Sequence, residues 1–100
     1  MEEIKKYLKE KHSEYNNELM RLKEKLKPLP KGTVTKRKIG NQFYYYHSHT
    51  KGGKLKHDYI GKEEPRQLIR EISIRRETEK KIREVNKTLK MLRTVRPRIV

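Results

Sequence analysis

Residues 33–61, TVTKRKIGNQFYYYHSHTKGGKLKHDYIG, hold five of the seven aromatic residues, three of the four histidines and four of the five glycines. Aromatic and β-branched runs broken by Gly40-Asn41 and by Lys51-Gly52-Gly53-Lys54 predict three strands joined by tight turns, an antiparallel meander. With Gly40-Asn41 as a two-residue turn, Ile39 pairs with Gln42, Arg37 with Tyr44 and Thr35 with Tyr46. A four-residue loop over 50–53 then sets Tyr44 opposite Tyr59 and Tyr46 opposite His57. One face carries Ile39, Tyr44, Tyr46, Leu55 and Tyr59, apolar enough to sit on a helix. The other carries Lys36, Lys38, Phe43, Tyr45, His47, Lys56, Asp58 and Ile60, and is expected to face solvent or a ligand. A slip of one residue in the second loop would exchange the faces of the third strand.

Outward from the sheet, residues 2–27 read as one amphipathic helix. Leu8, His12, Tyr15, Leu19, Leu22 and Leu26 recur at alternating steps of four and three, a narrow seam that calls for a partner. Pro28 and Pro30 stop the helix, and Gly32 releases the chain into the first strand. On the other side, Lys62-Glu63-Glu64-Pro65 reads as a helix start with acidic residues in the first turn. No breaker follows until Pro97. The seam of this second helix is Leu68, Ile69, Ile72, Ile82, Val85, Leu89, Leu92 and Val95. Between Ile72 and Ile82 it decays into SIRRETEKK, where a bend, fraying or a charge-presenting segment is expected. The expected fold is α+β in a single domain over 1–100: helix 1–28, three-stranded sheet 33–61 and helix 63–96, with the helices packed antiparallel. Narrow coiled-coil-like seams also allow a homodimer through the helices.

Only 31% of the 100 residues are apolar and 41% are charged. A chain so short and so polar encloses no large pocket, which argues against an enzyme that buries its substrate. The net charge is +15, from 28 basic and 13 acidic residues. Such an excess points to polyanionic partners, DNA, RNA or a nucleoprotein. The chain has no cysteine, which excludes a disulfide scaffold and a thiolate zinc site and fits a cytoplasmic setting. No apolar run approaches the ~20 residues of a membrane span, and the first residues lack a signal-peptide core.

The segment from Leu29 to Glu63, LPKGTVTKRKIGNQFYYYHSHTKGGKLKHDYIGKE, resembles a family of small, largely uncharacterised bacterial and mobile-element proteins. These run helix, Leu-Pro-Lys-Gly, a strand pair with Tyr-x-Tyr, Gly-Gly-Lys, Tyr-Ile-Gly-Lys, then a charged helix. The resemblance implies the architecture and adds little about function; a protein of a mobile element or phage is expected. A looser similarity links the sheet to the three-stranded DNA readers, AP2-type domains and integrase arm-binding domains, in which one sheet face enters the major groove. The matching face here is Lys36, Lys38, Tyr45, His47 and Lys56, with Arg37 at the edge; the long N-terminal helix has no counterpart in them.

The expected function is non-enzymatic binding of nucleic acid, dominated by the phosphate backbone and of low sequence specificity. Lysines crowd the sheet, whereas arginines collect on the second helix at Arg66, Arg70, Arg75, Arg76, Arg83, Arg93, Arg96 and Arg98. Lysine suits phosphate as a mobile point charge, and arginine forks read bases more specifically. The candidate contacts are Lys36, Arg37, Lys38, Tyr45, His47, Lys54, Lys56, Arg66, Arg70, Arg75 and Arg76. The alternative is a protein-binding inhibitor or adaptor, such as an anti-CRISPR-like protein acting on a host nucleoprotein. No cofactor is expected. His47, His49, His57 and Asp58 invite a metal, but the register puts His57 on the opposite face, and no fourth ligand is fixed. His47-Ser48-His49 beside a tyrosine run is similar to the His-hydrophobic-His nicking enzymes, with Ser48 in place of the bulky apolar residue. Neither a phosphate-binding glycine loop nor a nucleophile beside a base is present.

Overall fold

Two helices and three strands follow in the order α1 (Glu2–Leu26), β1 (Thr33–Ile39), β2 (Gln42–Lys51), β3 (Lys54–Gly61) and α2 (Arg66–Thr94). The computed structural model describes residues 2–94. The predicted run of the second helix to Arg96, its stop at Pro97, Val95 of its seam, and Arg96 and Arg98 lie outside the described residues. The strands form one antiparallel sheet in the order β1-β2-β3, so the α+β expectation holds. No helix among the described residues is long and apolar enough to cross a membrane.

The β1–β2 register is the expected one, with Thr35 opposite Tyr46, Arg37 opposite Tyr44 and Ile39 opposite Gln42. The second hairpin differs. Gly52 and Gly53 both take positive φ, +61° and +77°, so they close the turn by themselves and Lys51 pairs with Lys54. Shortening the loop from four residues to two moves the register by two, and Tyr46 therefore faces Tyr59 and Ser48 faces His57. Because side chains alternate with period two, an even shift leaves both face assignments intact. Near the end of β3 the pairing slips, and Tyr45 lies opposite Gly61 rather than Ile60, a one-residue bulge.

The chain divides into two compact units, one joining α1 to α2 from Glu77 onward, the other running Pro28–Arg76. In the first, the half-buried residues of α1 include every predicted seam position, Leu8, His12, Tyr15, Leu19, Leu22 and Leu26. Leu92, late in α2, lines a groove with Leu8 and His12, early in α1, as an antiparallel pair requires. Val85 and Leu89 are its buried apolar residues.

α2 is unbroken where its seam was expected to fail. Ile72, Arg75, Thr78, Ile82, Val85 and Leu89 continue at steps of three and four, and Arg75 and Thr78 are buried, Thr78 to 2% exposure. The stripe persists because two polar side chains fill positions that hydrophobicity alone skips. At its start, the Pro65 carbonyl accepts the Ile69 amide at 3.0 Å. Pro65 is thus the cap residue, and Glu63 and Glu64 precede the helix rather than occupying its first turn.

In the Pro28–Arg76 unit, residues 29–32 are held from two sides. Arg75 donates to the Leu29 carbonyl at 2.6 Å, His47 Nε2 bonds the Lys31 carbonyl at 2.7 Å, and Arg76 reaches the Gly32 carbonyl at a long 3.4 Å. Replacing Arg75 with methionine keeps the stem and removes the charged donor. Arg75→Met is therefore expected to cost about 1.5–3 kcal/mol, the range for a hydrogen bond to a charged group, measurable by urea denaturation.

Candidate functional site

Three of the sheet's basic residues stand on the edge strand β1, on both of its faces. Alternation along β1 sends Lys36 and Lys38 to one face and Arg37 to the other. Lys36 Nζ lies 4.0 Å from the centroid of the Phe43 ring and Lys38 Nζ 5.7 Å from it, so two ammonium groups share one ring. On the far face the Arg37 guanidinium lies 5.3 Å from the Tyr46 ring. Such contacts hold long flexible side chains near the sheet without neutralising them.

Of the eleven predicted contacts, Lys36, Arg37, Lys38, Lys54, Lys56, Arg66, Arg70 and Arg76 are exposed. Tyr45 and His47 are half-buried. Arg75 is buried, with its guanidinium on the Leu29 carbonyl, so it supports the fold rather than facing a ligand. Lys36, Lys38, Tyr45, His47, Lys54 and Lys56 share a face, as expected from alternation.

What lies against each face reverses the expectation. The lysine-and-ring face was to be open, yet Val34, Lys36 and Tyr45 line a groove of about 600 Å³ with Ile69, Ile72 and Arg76 of α2. The tyrosine face was to sit on a helix, yet Ile39, Leu55 and Tyr59 on it are 61%, 66% and 56% exposed. Val34 and Tyr45 give the first face enough apolar surface, at the β1–β2 end, to meet the Ile69–Ile72 turn of the helix. Beyond that end the same face stays open, with Lys38, Phe43, Lys56 and Asp58 exposed.

The histidines are committed to structure. His49 Nε2 lies 2.6 Å from Asp58 Oδ2, and the His47 and His49 rings stand 4.7 Å apart. His57 is on the other face, where its Nδ1 lies 2.7 Å from Ser48 Oγ, itself 2.8 Å from Thr35 Oγ1. That three-residue relay satisfies the buried Ser48 hydroxyl. Among the described residues no group of three or more histidine, aspartate or glutamate side chains is arranged to hold a metal.

The hydrogen bond from His49 holds the Asp58 carboxyl below the usual carboxylate range, helped by the charges of His49, His47 and Lys56 and opposed by desolvation. A carboxyl whose folded pKa is depressed adds stability above its unfolded pKa and loses it as pH falls through the folded value. Wild type and Asp58→Asn are therefore expected to differ in urea midpoint near neutral pH and to converge in acid. A gap that is constant with pH would contradict this.

Sequence reasoning missed the sharing of Phe43 by Lys36 and Lys38, although Lys-x-Lys opposite an aromatic residue is a legible signal. It did place Tyr44, Tyr46 and Tyr59 on one face, but with the longer loop it set Tyr59 opposite Tyr44, whereas the shorter turn sets it opposite Tyr46.

No curated protein and no solved structure matches the chain. Residues 8–71 match the family described as Domain of unknown function (DUF6788), a stretch that takes in most of α1, the whole sheet and the first turns of α2, and the chain belongs to that family.

Proposed function

We propose that this chain is a non-enzymatic nucleic-acid-binding protein that grips the phosphate backbone with low sequence specificity. The observation that carries this is the state of the sheet's cations. Lys36, Arg37, Lys38, Lys51, Lys54 and Lys56 are all exposed, and among the described residues none of them lies in an ion pair. In a protein of net charge +15, unpaired cations on a rigid sheet raise the local potential and draw in polyanions. Exposed Arg66, Arg70 and Arg76 on the early turns of α2 belong to the same unit as the sheet and extend its positive surface.

Lysine ammonium groups contact phosphate without reading bases, so different sequences of one length are expected to bind alike. The experiment is fluorescence anisotropy with labelled duplex DNA, single-stranded DNA and RNA of unrelated sequences at low ionic strength. Expected dissociation constants are ~10⁻⁴–10⁻⁶ M at physiological salt, tightening as salt falls. Absence of binding at low salt overturns the proposal, as does strong preference for one sequence. A protein-directed inhibitor would instead capture a nucleoprotein stoichiometrically while leaving free nucleic acid unbound.

A further inference from the structure

We infer that the tyrosine face of the sheet is a stacking platform for the unpaired bases of a single-stranded nucleic acid. This rests on the nucleic-acid reading above and adds to it a surface, a strand state and a mode of contact.

Tyr44, Tyr46 and Tyr59 form one aromatic surface across β2 and β3. The Tyr59 ring centroid lies 6.3 Å from that of Tyr44 and 5.5 Å from that of Tyr46. Tyr59 is 56% exposed, and exposed Leu55 and Ile39 stand on the same face, toward opposite ends of the sheet. Tyr44 and Tyr46 are half-buried and Tyr59 is exposed, so the joined rings keep a face open to water, and an exposed aromatic surface of this kind marks a contact site. Tyr44 and Tyr46 are two residues apart on one strand, ~7 Å along it, so neighbouring bases of an extended strand can each meet a ring.

Charge selects the occupant. The face is built from alternate residues, 33 to 39 on β1, 42 to 50 on β2 and 55 to 59 on β3, and contains no aspartate or glutamate. It does carry Arg37, whose guanidinium lies 5.3 Å from the Tyr46 ring, where it can pair with a phosphate or stack on a base. Lys36 and Lys38 project from the other side of the same edge strand and can reach a backbone running along it. A second copy of the chain would bring another +15 of charge and is repelled. Duplex DNA hides its base faces in the stack and has nothing to offer the rings. Single strands expose them, and aromatic platforms on small sheets take bases in this way.

The chain contains no tryptophan, so its emission comes from six tyrosines, of which Tyr44, Tyr46 and Tyr59 stand on this face, and the Tyr59 variants separate their share. The experiment titrates oligo(dT), oligo(U) and a duplex into wild type, Tyr59→Leu and Tyr59→Phe. Leucine keeps an apolar side chain on the strand without a ring; phenylalanine keeps the ring. Expected are quenching of tyrosine emission by both single strands, a loss of about 5- to 150-fold in single-strand affinity for Tyr59→Leu, near-wild-type binding for Tyr59→Phe, and duplex affinity unchanged in both. Circular dichroism checks that each variant folds; should Tyr59→Leu fail to fold, Tyr44→Leu is read in the same way. Equal loss of duplex and single-strand binding, or none, overturns the inference while leaving the backbone-binding proposal standing. No binding of any nucleic acid removes both. Concentration-dependent dimerisation in sedimentation, abolished by Tyr59→Leu, assigns the face to a second copy and overturns it as well.

Discussion

Gly32→Ala is expected to lower stability by about 2–6 kcal/mol, the sum of ~1–3 kcal/mol for a non-glycine residue in a sparsely populated backbone region and ~1–3 for forcing an extra group into a filled space. Gly32 takes φ +100°, and a Cβ placed there would overlap the Ser48 carbonyl oxygen of β2. That oxygen is backbone, and it cannot swing away as a side-chain tip would. Neither can the loop back off, because the Leu29 and Lys31 carbonyls on one side are tied to Arg75 and His47. At ~4–8 °C per kcal/mol for a domain of this size, the melting temperature should fall by ~8 °C or more. Gly40→Ala is the control: Gly40 also has positive φ, +63°, but its Cβ would meet nothing within 4 Å. Only the conformational cost, ~1–2 kcal/mol, is expected there. Equal thermal shifts for the two variants would show that the close approach to Ser48 contributes nothing.

That loop shows where the sequence was legible and where it was not. Leu29-Pro30-Lys31-Gly32 stands out as a motif, and the two prolines plainly end a helix. Its role as the place where α2 and β2 grip the chain depends on Arg75, more than forty residues away, whose charge reads as surface. Arg75 and Thr78 hid the α2 seam for the same reason: periodicity analysis scores apolar residues, and a buried arginine stem or threonine methyl escapes it. The α1 seam was legible because leucines mark it. Strand register in the first hairpin followed from Gly-Asn turn chemistry. In the second, two glycines fit a two-residue turn as well as part of a longer loop, and the even difference between them preserved the faces while changing the partners. Which face meets the helix was not legible, since Val34 and Tyr45 on one side compete with three tyrosines on the other, and only tertiary packing chooses between them.

Raising salt from ~50 to ~200 mM is expected to weaken nucleic-acid binding by about 10³-fold, the response of roughly six phosphate contacts. Lys36, Arg37, Lys38, Lys54, Lys56 and Arg76 are exposed and are expected to supply them. Each contact releases condensed counterions, so the logarithm of affinity should fall against the logarithm of salt with a slope near −5 on duplex DNA and about −4 on single strands. The slope counts charges and therefore assigns them. Lys36→Gln/Lys38→Gln should flatten it by about two units on duplex and weaken all sequences alike. Arg75→Met should leave the slope unchanged although it also removes a positive charge, because that guanidinium is spent on the Leu29 carbonyl inside the fold. Tyr59→Leu, in contrast, should shift single-strand affinity at every salt concentration without altering the slope, since stacking releases no counterions. A flat salt response in wild type would mean that the +15 charge does not act on phosphate at all. A slope that Arg75→Met reduces as much as a sheet lysine does would mean that the buried arginine leaves the fold to meet the ligand.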